Sequence, residues 1–306
     1  MLDLCVRSLD SYDDWIAALR QEGHAIEYAR TGTLEIALTG EHASRLRRGH
    51  GEWLDADAVA REVPQLARTA GALRSPQHGF VNARQLTAAL AASAGRHGAT
   101  FLEARVDRID RHDGGVVVDV GPDHPGLEAA FVVLAAGAWT NRIRGVRTPP
   151  LRPVRGQLLH LTPGLGAIRT ILWGPDCYIV PLQSGTELLV GATVEEAGFD
   201  EHATEDAVRD LYSAARRLLP GLPANAIDVS MQPRVGLRPA TPDELPVLGI
   251  DPDQPGIVFA SGHYRNGVLL APITGRLVAD LIVDGTMDSA LETFSPARFY
   301  SKAPRH

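Results

Sequence analysis

The sequence has little of several features that would assign a protein to a class at once. Its 306 residues include only two cysteines, Cys5 and Cys177, and these match no zinc or Cys-x-x-Cys spacing. No apolar run approaches the roughly 18 residues of a membrane helix, so we expect no membrane partner. The first residues lack a basic segment followed by an apolar core, as a secretory signal would have. Together these absences predict a reduced, cytoplasmic protein.

The charge pattern also argues against one class of partner. The net charge is −7, and no block is rich in Lys and Arg, so we expect no nucleic-acid partner. With 44% hydrophobic and 22% charged residues, the composition is that of an ordinary globular protein. The length is sufficient for two domains or one large one.

The first half of the chain alternates helix and strand patterns. Residues 2–19 predict one amphipathic helix, with Leu2, Cys5, Leu9, Tyr12, Ile16 and Leu19 on its apolar face. Asn82 is a plausible N-cap for a second helix that ends near Gly95. Strands are predicted at 101–109, 116–120 and 127–135. The last is almost wholly apolar, which is typical of a central strand covered on both faces.

The second half is richer in strands. We expect strands at 154–161, 178–182, 187–193, 226–231 and 246–250, a helix at 205–219, and little pattern after Gly285. Buried strands of the parallel type are mixed with strands of the hairpin type. The sequence therefore predicts an α/β (α+β) fold with two interleaved domains.

The stretch from Ile257 to Pro272 is the most informative. A short apolar strand leads into a glycine-bounded loop and then a helix whose apolar face is Leu270, Ile273, Leu277 and Leu281. A helix N-terminus behind such a loop is suited to anions, and Arg265 adds a two-pronged cation for a carboxylate. A surface turn with a solvated arginine is the alternative interpretation.

Four segments together resemble the glycine/D-amino acid oxidase family of flavoproteins, in particular the glycine oxidases of thiamine biosynthesis. They are Val-Leu-Ala-Ala-Gly-Ala-Trp at 133–139, Cys-Tyr-Ile-Val-Pro at 177–181, Gly-Leu-Arg-Pro-Ala-Thr at 236–241 and Gly-His-Tyr-Arg-Asn-Gly at 262–267. The resemblance extends over essentially the whole chain. It implies a Rossmann-like FAD-binding domain (1–25, 79–145 and 238–300), a mostly antiparallel substrate domain (26–78 and 146–237), and a tail (301–306).

The resemblance also implies which residues hold the substrate. Tyr178, Arg238 and Arg265 match the family positions that bind the carboxylate of a small amino acid, and Val194 matches a wall of its pocket. A guanidinium binds a carboxylate through two hydrogen bonds, and a phenol adds a third donor. Without the resemblance, Arg238 could be a structural ion-pair partner, and core packing is the simpler interpretation of Tyr178.

The implied cofactor is FAD, and the resemblance places its contacts in three parts of the chain. The loop at the pyrimidine edge of the flavin would comprise Gly262, His263, Tyr264, Asn266, Gly267, Val268 and Leu269. Ala136 and Gly137 would let the backbone pass close to the dinucleotide. Val106 would lie near the adenine end.

The implied reaction is oxidation of glycine or another small amino acid, with O₂ as acceptor, to an imine and hydrogen peroxide. The imine would serve thiazole formation in thiamine biosynthesis. A sarcosine-type or D-amino acid dehydrogenase is the enzymatic alternative, and a truncated, non-catalytic homologue is the alternative from another class. The family also implies a homo-oligomer.

One departure from the family pattern affects these expectations. The chain contains no Gly-x-Gly-x-x-Gly turn, which in dinucleotide-binding folds places the pyrophosphate at a helix N-terminus. Either the sequence is truncated or it is a short homologue that holds FAD differently. In both cases we expect an exposed sheet edge, poor solubility and weak or no FAD binding for these 306 residues.

Overall fold

The computed structural model describes residues 1–112, 114–122, 124–224 and 230–300. Its helices are α1 (Leu2–Asp10), α2 (Tyr12–Gln21), α3 (Gly40–Leu46), α4 (Ala56–Glu62), α5 (Ala83–Arg96), α6 (Glu205–Leu218), α7 (Gly267–Val283) and α8 (Ser289–Thr293). Its strands are β1 (Tyr28–Ala29), β2 (Thr33–Ala37), β3 (Glu52–Leu54), β4 (Gly71–Ser75), β5 (Phe80–Val81), β6 (Arg108–His112), β7 (Gly115–Asp119), β8 (Leu127–Ala129), β9 (Val132–Leu134), β10 (Arg152–Thr162), β11 (Ile171–Trp173), β12 (Tyr178–Leu182), β13 (Glu187–Gly191), β14 (Ser230–Ala240), β15 (Val247–Ile250) and β16 (Ile257–Ser261).

The largest sheet has eight strands in the order β14-β10-β13-β12-β11-β2-β4-β3. All its pairs are antiparallel except β11 with β2. One face packs against α6, whose apolar side includes Leu211, Ala215 and Leu218. Thr204 begins that helix by accepting a hydrogen bond from the Ala207 amide. The opposite face of the sheet points away from α6.

A smaller, three-stranded sheet has the order β15-β16-β9, and β9 runs parallel to β16. Helix α7 covers it with Leu270, Ile273, Leu277 and Leu281, all of them buried, as the sequence predicted. Because β9 and β16 are parallel, their carboxyl ends lie at one edge of the sheet. The chain following β9 and the loop between β16 and α7 therefore emerge side by side, where open α/β sheets bind ligands.

The predicted single helix over residues 2–19 is wrong in one respect, because it is two helices that meet at Ser11. Each half packs against a different partner. Leu4 in α1 belongs to the α7 core, whereas Ile16 in α2 packs with α5. Leu2 is consequently 79% exposed instead of belonging to the apolar face. The helix from Asn82 is confirmed, and Asn82 caps α5 as predicted.

Two of the strands expected in the first half need correction. Residues 101–107 form no strand, and pairing begins only at Arg108, where β7 lies alongside. The segment 127–135 is divided into β8 and β9, which belong to different sheets. Within the described residues, β9 has a partner on one side only, and Val133 is 40% exposed. The prediction of a central, doubly covered strand is therefore wrong.

The other elements agree with the sequence more closely. The mixed α/β class is confirmed, and β10, β12, β13, α6, β15 and β16 lie within a few residues of their expected positions. A short helix, α8, was not expected. Residues 226–229 of an expected strand and the 301–306 tail lie outside the described residues. The domain boundaries stay a prediction, although β14 crosses the one proposed between 237 and 238. None of the described helices could cross a bilayer.

Candidate active site

The main cavity, of about 750 Å³, lies between the open face of the eight-stranded sheet and the first turn of α7. All four residues expected around the substrate line it: Tyr178, Val194, Arg238 and Arg265. Five of the residues expected to bind flavin line it as well: Tyr264, Asn266, Gly267, Val268 and Leu269. Segments far apart in the sequence thus face a single space.

Arg238 is half-buried and partly anchored by the backbone. Its Nη1 donates to the carbonyl oxygens of Arg155, at 3.3 Å, and Thr193, at 3.0 Å. Burial is the main cause that lowers the pKa of Arg238 below its ordinary value, and the nearby Arg265 acts in the same direction. An arginine keeps its charge in spite of such a shift. The cation is therefore fixed on one edge and open on the other.

Tyr178 and Arg265 provide the other donors of the site. Burial raises the pKa of the Tyr178 phenol, while Arg238 and Arg265 both act to lower it. The phenol is thus protonated at neutral pH and can donate a hydrogen bond. Arg265 is exposed to the cavity and forms no hydrogen bond or ion pair with any residue that the structure describes. Two cations and a phenol around one space are suited to a carboxylate.

The first turn of α7 forms the opposite wall. Asn266 precedes it without a side-chain capping bond, so the helix N-terminus is open towards the cavity. Two hydroxyls hold this turn through its carbonyls: Ser8 Oγ donates to Leu269 O at 2.6 Å, and Tyr12 Oη donates to Val268 O. The peptide dipoles give this wall a positive potential.

His263 and Gly262 lie behind this wall and do not line the cavity. The His263 ring is hydrogen-bonded to Thr274 of α7 through Nε2, at 3.0 Å. Burial lowers its pKa to about 4, so the ring is neutral at physiological pH. Gly262 has a φ of +72°, and the Thr241 and Val247 side chains lie close to where a Cβ would be. Both residues shape the loop rather than contact the space.

A second cavity, of about 630 Å³, lies at the carboxyl end of β9. Val106 and Ala136, two of the residues that the resemblance assigns to the cofactor, line it together with Trp139 and Arg142. Gly137, at a φ of +54°, turns the chain out of the strand into a short 3₁₀ helix. This backbone conformation favours glycine, because it carries no Cβ.

The described residues are suited to both ends of FAD, the flavin and the adenosine. The open N-terminus of α7 would hold the electron-rich edge of the flavin ring, and the cavity beside Val106 and Ala136 is placed for the adenosine end. Both lie at the edge where the carboxyl ends of β9 and β16 meet. The glycine-rich turn that would hold the pyrophosphate has no counterpart in the sequence.

Sequence reasoning missed the residues that hold the site together from beneath. Glu195 accepts hydrogen bonds from Arg155, Gln157 and Thr193, and so fixes the segment whose carbonyl anchors Arg238. Gly156 and Gly191 lie under the functional side chains. A glycine inside an apolar strand often marks a close approach, and this signal was present in both strands.

A mixed α/β fold with cavities at the carboxyl ends of β9 and β16 is typical of a protein that binds a dinucleotide. The model of the family described as FAD dependent oxidoreductase (DAO) matches residues 1–281. The chain therefore belongs to the family of FAD-dependent oxidoreductases. The expected family, the fold class and FAD as cofactor are confirmed by this match and by the structural similarities below.

Named relatives agree with this assignment. The chain is 34% identical over 306 residues to the bifunctional protein ThiO/ThiG of Synechocystis sp., covering 98% of this chain and 45% of that protein. It is 36% identical over 296 residues to glycine oxidase of Geobacillus kaustophilus, covering 92% and 77%. The crystal structure of that glycine oxidase superposes with a TM-score of 0.88 at 33% identity, covering 98% and 83%. The chain spans less than half the length of the bifunctional relatives it matches.

Proposed function

We propose that this protein is an FAD-dependent oxidase of glycine or another small amino acid. The observation that carries the proposal is the convergence of Tyr178, Arg238 and Arg265 on one cavity closed by the first turn of α7. The names of relatives support it, since glycine oxidase is among them. The bifunctional relatives named ThiO/ThiG support placing the product imine in thiamine biosynthesis.

The donors of the cavity fix the substrate through its carboxylate. The free edge of Arg238 and the exposed guanidinium of Arg265 bind the two oxygens, and the Tyr178 phenol donates a third hydrogen bond. With the carboxylate fixed, the Cα–H bond has one remaining freedom, rotation about the Cα–carboxyl bond, which the wall at Val194 limits. Positioning of this kind supplies a large part of catalysis.

When bound, FAD supplies the acceptor for the Cα hydride and the route by which two electrons reach O₂, which leaves as hydrogen peroxide. A neutral substrate amine needs no side-chain base, because its lone pair forms the C=N bond as the hydride leaves. The open N-terminus of α7 stabilises negative charge at the cavity wall. His263 does not line the cavity, and its Nε2 is hydrogen-bonded to Thr274, so it takes no part in proton transfer.

The test is oxygen consumption by the FAD-loaded protein with glycine, sarcosine and D-alanine, with hydrogen peroxide measured in parallel. We expect turnover with at least one of the three and one peroxide for each O₂. Bleaching of the flavin by substrate without oxygen uptake would favour the dehydrogenase alternative. A protein that binds FAD and is bleached by none of the three would contradict the proposal.

A further inference from the structure

The two donors built on strands, Arg238 and Tyr178, lie on the same face of the eight-stranded sheet. Arg238 in β14 is paired with Val154 in β10, and Tyr178 in β12 is paired with Gly191 in β13. Strand β10 is in turn paired with β13, with Leu158 opposite Gly191. Because side chains alternate between faces, Val154 and Leu158 share this face with both donors. The two donors therefore approach each other across β10 and β13.

The positions beneath them are glycines. Gly156, between Val154 and Leu158 on the same face, lies under the guanidinium: a Cβ there would overlap Cζ, Nη1 and Nη2 of Arg238. A Cβ at Gly191 would overlap Cζ and Oη of Tyr178. In each case it is the functional end of the side chain that occupies the space of a missing Cβ.

We propose that Gly156 and Gly191 are positioning residues of the carboxylate site, which hold the donor groups of Arg238 and Tyr178 flat against the sheet. The proposal rests on the proposed function, because it assigns these two side chains to the substrate carboxylate. The backbone carbonyls of Arg155 and Thr193 also hold this guanidinium, because each accepts a hydrogen bond from Arg238 Nη1. A methyl group at residue 156 would lift the guanidinium from both acceptors.

The expected defect is in binding and not in stability. At residue 156 the atoms that would overlap belong to the far end of the flexible Arg238 side chain, which can swing away at little cost. The fold then persists while the cation leaves the cavity. A purely structural glycine would show the opposite pattern, with a lower melting temperature and an unchanged site.

The chain provides a matched control for Gly156. Gly236 lies directly opposite it in β14, and a Cβ at that position would meet nothing within 4 Å. Gly156→Ala and Gly236→Ala therefore make the same chemical change in neighbouring strands, but only the first would displace Arg238.

The experiment measures the dissociation constant of acetate, which carries the carboxylate and no amine, by NMR titration of the full chain with FAD in excess. We expect Gly156→Ala to weaken acetate by about tenfold or more, since a charge-assisted hydrogen bond is lost. Gly236→Ala should bind acetate within twofold of the parent, and both melting temperatures should stay close to it. Gly191→Ala should weaken acetate less, because a phenol is a weaker donor than a guanidinium.

A double-mutant cycle separates positioning from general damage. If Gly156 acts through Arg238, Gly156→Ala should have no further effect on acetate binding in an Arg238→Ala background. An effect of equal size in both backgrounds would overturn the proposal. If Arg238→Ala weakens acetate and Gly156→Ala does not, only the positioning role is wrong. If Arg238→Ala itself leaves acetate binding unchanged, the carboxylate site is wrong and the positioning role with it.

Discussion

Arg238 and Arg265 carry the same guanidinium in different surroundings. Arg238 is half-buried, and Nη1 is held by two carbonyl oxygens, whereas Arg265 is exposed at the cavity wall with its fork unoccupied by any described residue. The first is placed in advance, and the second must be ordered by the ligand. Preorganised donors lose less entropy on binding, so Arg238 should contribute more to affinity.

Lysine at each position tests this difference. We expect Arg238→Lys to raise KM for glycine about tenfold or more, because a lysine cannot both reach the carbonyls and offer two parallel donors. Arg265→Lys keeps a mobile cation at the same wall and should raise KM by only about two- to threefold. Steady-state kinetics of both variants measure KM for glycine. An equal rise in KM in the two variants would contradict the larger contribution assigned to Arg238.

His263 leads to a prediction about acid stability. Its folded-state pKa of about 4 lies below the ordinary value of 6.5, because burial disfavours the charged ring. As the pH falls from 6.5 towards 4, the unfolded chain binds the proton first, so stability is lost in that window. The loss over the whole window is about 3 kcal/mol, from 1.36 kcal/mol per unit of pKa difference.

His263→Gln should reduce this loss, since glutamine can still bond to Thr274 and does not titrate. Urea unfolding at pH 7 and pH 5 measures it. We expect the parent to lose more stability between these two values than the variant. If both proteins lose the same free energy of unfolding between pH 7 and pH 5, groups other than His263 cause the loss of stability in acid.

At the scale of elements, the position of α7 depends on the bend between α1 and α2. The bend at Ser11 lets α1 follow α7 while α2 follows α5. It brings two hydroxyls, those of Ser8 and Tyr12, to the carbonyls of the first turn of α7. Each such bond contributes about 1 kcal/mol to stability. The wall of the cavity is thus held by the first twelve residues of the sequence.

Tyr12→Phe tests that dependence. The substitution keeps the ring, which stacks on Tyr28 with centroids 5.9 Å apart, and removes only the donor to Val268 O. We expect a loss of about 1 kcal/mol together with faster amide exchange in the first two turns of α7. Ser44→Ala, which removes an exposed hydroxyl bonded within its own helix, is the control and should change neither. Unchanged amide exchange in α7 would show that the hydrogen bond from Tyr12 to Val268 O does not hold this helix in place.

The elements also show what sequence reasoning could reach. Side-chain periodicity identified α5, α6, α7 and the hairpin β12–β13, because these elements depend on local caps, turns and one apolar face. It failed at 101–107 and at β9, where the outcome depends on which strand lies alongside. Strand pairing is a long-range property, and an apolar run alone does not state it. The bend at Ser11 was missed for the same reason, since two different partners cause it.

Some residues of the site could likewise be predicted from the sequence, and others could not. The resemblance brought out Tyr178, Arg238 and Arg265 because motif residues can be matched one by one, and the structure places them around one cavity. Their roles remain predictions. The residues beneath them, Gly156 and Glu195, act through contacts across strands, which no single segment of sequence displays.

For the whole molecule, the donor groups of the cavity come from two different sheets and the elements attached to them. The eight-stranded sheet supplies Tyr178 and Arg238, while the three-stranded sheet and α7 supply the open helix terminus and the loop with Arg265. Neither half encloses the space alone. Catalysis of the proposed kind therefore depends on the position of one sheet relative to the other, which β14 helps to set because it leads from the first sheet directly towards β15.

The edge of β9 that pairs with no described strand gives the last prediction. An exposed apolar strand edge is a template for pairing with another chain, and β9 carries no charge to prevent it. Val133 is 40% exposed there, beside Phe131 at 40%. We expect the protein to self-associate through this edge and Val133→Lys to reduce light scattering at equal concentration. Val283→Lys is the control, because Val283 is 78% exposed at the last residue of α7 and belongs to no strand. If both variants reduce scattering equally, added charge and not the β9 edge is the cause, because a lysine raises solubility wherever it is placed.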